Sequence, residues 1–285
     1  MNSKKIAIVT DTNSSITTEE ADKLGIYMVN MPFIINGSIY HENVNLTHEQ
    51  FYMEMEKGSD ISTSQPSPGD LMDLWDEILE SYDCILHIPM AAGLSGSMAS
   101  AKMIAEDYDG KVVVVNNERI SISLRQAVLD ALKWVEEGFS AEEIKEKLEA
   151  TSADSSIYIS VDDLKYLQKG GRISPSVAAI GSVFNIKPVL SVREGVIDSH
   201  KKCRGRKSAW KEMIRALKED METKFPGKEL SICTAFSGDE AGGDEWHEAI
   251  KAAFPEYEVQ NFKLPLSIAT HTGPGVCGVG CMVIE

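Results

Sequence analysis

Long apolar runs are what this sequence most conspicuously lacks. One stretch, 264–284, is free of Lys, Arg, Asp and Glu over a bilayer's length, but Pro265, Pro274, four glycines and His271 interrupt it. It therefore reads as a loop followed by a buried strand, not a membrane span. The opening MNSKKIAIVTDT ends its apolar stretch at Asp11, too soon for a signal-peptide core, so a cytoplasmic protein without stable membrane insertion is expected. Basic residues are outnumbered, 28 against 44, and the net charge of −16 repels phosphate backbones and anionic headgroups, which weighs against nucleic-acid binding. Cysteine is scarce and odd in number. Cys84, Cys203, Cys233, Cys277 and Cys281 are scattered mostly through apolar runs, which suits reduced thiols, and Cys277 and Cys281 have no second pair to complete a zinc site. Neither a G-x-x-x-x-G-K-[ST] loop nor a G-x-G-x-x-G turn occurs, so kinase and dehydrogenase readings lose their usual phosphate-binding device.

What is present suits an ordinary folded protein: 43% of residues are hydrophobic, 25% charged and only 10 are proline. At 285 residues the chain is long enough for two domains. The small, polar stretch from Thr151 to Ser156 after a strongly charged helix marks the boundary, giving domains of 1–152 and 153–285.

In the first part, apolar runs Ile6 to Val9, Ile26 to Ile35, Cys84 to Ile88 and Val112 to Val115 alternate with amphipathic stretches. Short buried strands interleaved with helices predict an α/β fold with a parallel sheet flanked by helices. Thr17 with Glu20, Thr47 with Gln50 and Ser140 with Glu143 are spaced as capping boxes, and Ser67 before Pro68 and Asp70 marks a further helix start. Beyond the boundary, Ile157 to Val161 is a predicted strand and Val189 to Lys202 a hairpin turning near Glu194 and Gly195. A basic helix from Ser208 to Lys218 and strands near Leu230 to Ala235, Tyr257 to Leu264 and Val276 to Ile284 follow, which predicts a mixed or mostly antiparallel second sheet with helices.

Three loops are rich in hydroxyls and glycine: Thr10 to Ser15, Ser62 to Ser67 and Gly93 to Ser97. The first and third follow the carboxyl ends of predicted parallel strands, where open α/β sheets bind ligands. Ser95 is placed to cap the next helix, leaving the N–H groups of Gly96 and Ser97 facing an anion. Each feature also has a plain explanation: Ser95 as a cap only, Thr63 as a loop threonine, Asp11 as a strand end capping the next helix. A serine hydrolase built on Ser95 and His271 is the enzyme alternative, with a phosphotransferase acting on a small acid beside it. Gly-Leu-Ser-Gly-Ser lacks the second glycine of the G-x-S-x-G elbow, which weakens the first of these.

The stretch Leu167 to Ser174 and the Ala- and Gly-containing run Val177 to Phe184 suit close backbone packing, in a core or along a narrow tunnel. Lys201, Lys202, Arg204, Arg206 and Lys207 form a basic cluster on an acidic chain, either a solvated face or a dock for an acidic partner.

Taken together, these segments resemble the DegV family of bacterial fatty-acid-binding proteins over essentially the whole chain. The matching pieces are Thr10-Asp11-Thr12, Thr63-Ser64-Gln65-Pro66, Leu94-Ser95-Gly96-Ser97 with Ser100-Ala101, Leu167 to Ser174, Ile186-Lys187-Pro188, and His271-Thr272-Gly273-Pro274-Gly275. The resemblance implies a carrier and not an enzyme, holding a long-chain fatty acid such as palmitate, stearate or oleate between two domains, with no cofactor and no metal. The second domain would contribute the acyl-chain tunnel. The carboxylate would be held by residues matching Thr63 and Ser95, with Ser64, Gly96 and His271 around the head. It also implies that a separate fatty acid kinase phosphorylates the acid for phospholipid synthesis, with Arg172, Lys202 and Arg204 as candidate docking residues. Ala91 and Ala92 stand where relatives usually carry serines, and Asn116 and Asn117 where an Asp-Ser pair is common.

Overall fold

The structure, a computed structural model, describes residues 4–178 and 186–285. The elements run β1 (Ile6–Asp11), α1 (Thr18–Leu24), β2 (Tyr27–Val29), β3 (Pro32–Ile35), β4 (Ser38–His41), α2 (His48–Glu56), β5 (Ile61–Thr63), α3 (Pro68–Leu79), β6 (Cys84–Ile88), α4 (Ser97–Ala105), β7 (Val112–Val114), α5 (Ile122–Glu136) and α6 (Ala141–Ala150). There follow β8 (Ser155–Ser160), α7 (Lys165–Gly170), α8 (Pro175–Ala178), β9 (Ile186–Arg193), β10 (Val196–Arg204), α9 (Arg206–Thr223), β11 (Leu230–Phe236), α10 (Glu240–Ala253), β12 (Val259–Lys263), α11 (Leu266–Thr272) and β13 (Cys277–Val283). Among the described residues, no helix is long and apolar enough to cross a membrane.

The first sheet is fully parallel in the order β2-β1-β6-β7, with Ile6 opposite Cys84 and Thr10 opposite Ile88. The second has the order β10-β9-β8-β13-β11-β12; every pair is antiparallel except β11 with β12. Four of the marked helix starts behave as their side chains dictate. Thr47 and Ser140 complete reciprocal capping boxes, Ser67 accepts the Asp70 N–H ahead of Pro68, and Thr17 accepts that of Glu20. The β9–β10 hairpin turns at Glu194 and Gly195, both with positive φ, as a tight hairpin requires.

Two elements differ from the sequence reading. The run Ile26 to Ile35 is not one strand: β2 pairs with β1, while β3 leaves that sheet and joins a small antiparallel sheet in the order β4-β3-β5. The break falls at Asn30 and Met31, with Pro32 opening the new strand without a donor for the old ladder. The stretch 264–284 is also more than a loop and a strand, because α11 is a helix. Five of its seven residues are buried, and three of these (Ser267, Thr270 and Thr272) are polar, so polarity does not follow exposure and no helical period can be read from it.

The central core joins both large sheets through α5, which packs against β1, β13 and α6, so that Leu86, Leu124, Ile157 and Met282 belong to one cluster. A second core, with Trp210, Trp246 and Phe254, lies under α9 and α10, and a third surrounds Trp75 on α3. The cluster that matters most for the site is the smallest: Phe33, Ile35 and Phe51 pack against Leu266 and Ala269 of α11. Burying Phe33 and Phe51, at about 2 kcal/mol each, clamps the small sheet to α11 and so brings the end of β5 beside the end of that helix.

Candidate functional site

The clamp produces one contact between distant segments. Thr63, last in β5 and opposite Phe33, lies with its Oγ1 2.7 Å from Nε2 of His271, near the end of α11. The imidazole is fixed from the other side by Gly170 at the end of α7. A Cβ on Gly170 would stand 2.1 Å from His271 Nδ1, so only glycine lets the ring sit there. Nδ1 is buried without a hydrogen-bond partner among the described residues. Burial first, and then the nearby Arg172 guanidinium, push the His271 imidazole down to about 4, so the ring is neutral at pH 7.

Thr63 and His271 border a cavity of about 180 Å³ that Ser64, Gln65, Ser95, Gly96 and Arg172 also line. All five residues expected around a carboxylate therefore share one wall. Ser95 is not the cap of α4, however. Gly96 takes that position, and Ser95 Oγ instead accepts the Ser97 N–H at 3.2 Å, so that N–H is not free for an anion. The loop folds back on Ala91, whose carbonyl accepts from Leu94 and Ser95 N–H groups, and Gly96 leaves room for Gln65 Oε1.

Arg172 also differs in setting from Lys202 and Arg204. It lines the cavity and donates from Nη1 to the Gly170 carbonyl at 2.5 Å and from Nε to the Leu94 carbonyl at 3.2 Å. Lys202 and Arg204 are exposed on β10, an edge strand. Among the described lining residues Arg172 is the one permanent cation, and no Asp or Glu lines the same space.

Asn13 and Ser267, which the sequence reading did not single out, complete the polar wall: the Ser267 hydroxyl donates to Asn13 Oδ1, and Asn13 Nδ2 points to the Met90 sulfur at 3.0 Å. Behind them Asp11 is buried and accepts the Asn13 and Met90 N–H groups at 2.9 and 2.8 Å. Burial raises it to about 6 in spite of those bonds. Asn13 was legible as part of a hydroxyl-rich loop; Ser267 lay in a stretch whose helix had no visible period.

Leu94, Ile120, Ile197, Ile268 and Thr272 form a shared wall with a second, deeper chamber of about 60 Å³. That chamber is otherwise almost wholly apolar, reaching Ile157 and Ile159 on β8 and Gly278 and Val279 on β13. A cavity carrying hydroxyls and one cation thus borders a hydrocarbon-like recess. Of the expected tunnel wall Val177 to Phe184, Val177 is buried in the core, and 179–184 lie outside the described residues.

The hydrolase arrangement is not assembled. His271 Nε2 meets Thr63, not Ser95, and its Nδ1 has no orienting carboxylate. Among the described residues no cluster of His, Cys, Asp and Glu is placed to hold a metal ion, and the five cysteines are buried free thiols.

The fold is shared with known proteins. The family model described as "Uncharacterised protein, DegV family" matches residues 5–283. A DegV domain-containing protein of Deinococcus radiodurans is 31% identical over 278 residues, spanning 96% of this chain and 97% of its own. The structure describing fatty acid binding of a DegV family protein from Thermus thermophilus is similar with a TM-score of 0.89 at 31% identity, covering 98% of this chain and 99% of its own. That of Bacillus subtilis DegV, described as a fatty acid binding protein, has a TM-score of 0.87 at 30% identity, covering 99% and 100%.

Proposed function

The chain belongs to the DegV family, and from that membership and the two-chambered cavity we propose that it is a carrier which encloses a long-chain fatty acid and does no chemistry on it. The carboxylate lies in the vestibule and the tail in the apolar recess. In this reading residues 1–152 supply the loops that carry Thr63 and Ser95, and 153–285 supply most of the tunnel wall together with Arg172 and His271 at the head. The observation that carries the proposal is the polarity step: donors and Arg172 at one end, an almost donor-free wall at the other.

Two hydroxyls are suited to grip an anion because their acceptor sides are already engaged. Ser95 Oγ accepts from Ser97 N–H. Nε2–H of His271 donates to Thr63 Oγ1 if the proton sits on Nε2, a tautomer that leaves the buried Nδ1 as an unpaired acceptor and not an unpaired donor. Each hydroxyl proton is then directed to the ligand. The neutral His271 orients Thr63, and Arg172 supplies the positive field. Burying roughly 15 methylene groups contributes on the order of 12 kcal/mol gross before ordering costs. Hydrogen bonds to the charged head contribute about 1.5 to 3 kcal/mol each and mostly offset its desolvation. The tail therefore supplies the affinity and the head its register.

Presentation of the acid to a fatty acid kinase in a reducing cytoplasm is the finer part of the proposal. The exposed Lys202 and Arg204 on β10 suit an acidic docking partner, and the buried thiols suit that compartment. Native mass spectrometry of the purified protein tests the main claim. One fatty acid mass per chain is the expected result; an empty chain that also takes up no added palmitate or oleate overturns it. Charge reversal at Lys202 and Arg204 that abolishes kinase-dependent phosphorylation but leaves uptake unchanged is the expected outcome for docking.

A further inference from the structure

Gly278, the second residue of β13, sits in the strand without any need of backbone conformation, since its φ is not in the left-handed region. Glycine inside a strand is destabilising, and one without a conformational reason marks a place where something packs closely against the backbone. Its cross-strand neighbours are Ile159 on β8 and Ala235 on β11, and all three border the deeper chamber. A Cβ at Gly278 would meet Ile159 Cγ2 at 3.2 Å and two backbone oxygens at 3.6 and 3.7 Å, so a larger side chain would extend over the chamber floor.

Two residues further along the same face the situation reverses. Gly280 pairs with Ile157 and Cys233, and a Cβ there would strike Ile122 Cδ1 at 2.8 Å. Ile122, the first residue of α5, already covers that glycine, and it too borders the chamber. The floor thus has more room at Gly278, where the nearest contact of a Cβ is 3.2 Å, than at Gly280, where Ile122 Cδ1 at 2.8 Å, backed by Ile157 Cγ1 and the Ser156 carbonyl at 3.1 Å, already fills the space.

We propose that Gly278 and Ile122 set how deep an acyl chain can enter, and hence which chain lengths the protein selects; this rests on the fatty-acid reading above. Gly278→Val should fill the floor and displace two or three methylene groups from the recess, weakening hexadecanoate and octadecanoate binding roughly 10- to 50-fold while decanoate, too short to reach it, changes less than about threefold. Ile122→Val removes Cδ1 alone, and should favour the acid one methylene longer by about fourfold.

The test is a ladder of saturated acids from C8 to C18, measured by competition against a fluorescent fatty acid on the full chain and both variants, with thermal melting as a check of folding. Opposite shifts of the preferred length in the two variants support the proposal. A wild-type chain that binds the ladder, with Gly278→Val folded and weakening every length equally or none, overturns it and leaves the carrier reading standing; a wild-type chain that binds no acid overturns both. Should Gly278→Val fail to fold, Gly278→Ala and Ile122→Val carry the same test, and an unchanged preferred length in both overturns the proposal.

Discussion

The Thr63 hydroxyl and the His271 imidazole are separated by 208 residues and lie 2.7 Å apart, so this hydroxyl-bearing end of the cavity exists only when β5 and α11 are both in place. His271 acts through Thr63 in this geometry, and the two should not behave as independent contributors. Thr63→Val, which keeps the shape and removes the hydroxyl, should weaken palmitate binding roughly 10- to 100-fold, the cost of one hydrogen bond to a charged group. His271→Ala should cost less on the Thr63→Val background than on the wild type, as a double-mutant cycle on palmitate affinity would reveal. Strictly additive losses would separate the two residues functionally.

The neutral state of His271 gives a pH dependence with a definite sign. Its folded-state value is about 4 against an ordinary 6.5, so between those pH values the unfolded chain takes up a proton that the folded chain refuses. Stability is unaffected above pH 6.5 and falls as pH drops toward 4, by on the order of 3 kcal/mol for this group alone. The buried Asp11, raised to about 6, works in the opposite direction, its contribution improving as pH falls from 6 toward 3.8. A bound carboxylate beside the ring stabilises its protonated form, so the His271 titration midpoint followed by NMR should move upward when hexadecanoate is added. A midpoint indifferent to the ligand would place the head group elsewhere.

Much of this arrangement was legible in the sequence, for physical reasons that also mark where legibility stopped. The parallel strands β1, β6 and β7 announce themselves as short apolar runs, and the β9–β10 hairpin by Glu194 and Gly195 at its turn. Thr63, Ser95 and His271 stood out through resemblance, not through periodicity, because a strand end, a loop and a helix converge only in space. β3 was hidden because β2 and β3 form one apolar run whose change of sheet depends on tertiary pairing at Pro32. α11 was hidden because Ser267, Thr270 and Thr272 are buried beside Leu266 and Ala269, so polarity does not mark its faces. The cap was misplaced by one residue because a serine before Gly96 can serve a turn as readily as a helix.

Gly170 gives a test of positioning without touching the ligand's polar partners. Its backbone has ordinary helical φ, and alanine is the better helix former, so on local grounds Gly170→Ala should stabilise α7 slightly. The new Cβ would nevertheless fall 2.1 Å from His271 Nδ1 and force the ring away. We expect a net loss of about 1 to 3 kcal/mol in stability, measured by denaturant unfolding. Weaker palmitate binding should accompany it as Thr63 loses its oriented donor. Unchanged stability and affinity would show that the ring is free to relocate.

Glu42 holds the start of α11, the helix whose far end carries His271. Although buried, its carboxylate accepts the Leu266 N–H at 3.0 Å, one of the donors that a helix start leaves without an internal partner, and its second oxygen meets His48 Nε2 at 2.6 Å. Removing it in Glu42→Ala strands both groups, which should cost about 2 to 4 kcal/mol by denaturant unfolding. Glu42→Gln, able to accept the same N–H through its amide oxygen, should retain a good part of that. Because α11 carries His271, Ser267 and Thr272 into the cavity wall, the alanine variant should also release palmitate faster, even at temperatures where it remains folded. A variant that melts earlier yet exchanges ligand at the wild-type rate would show that the anchoring of α11 at Leu266 is not transmitted to His271 and the cavity.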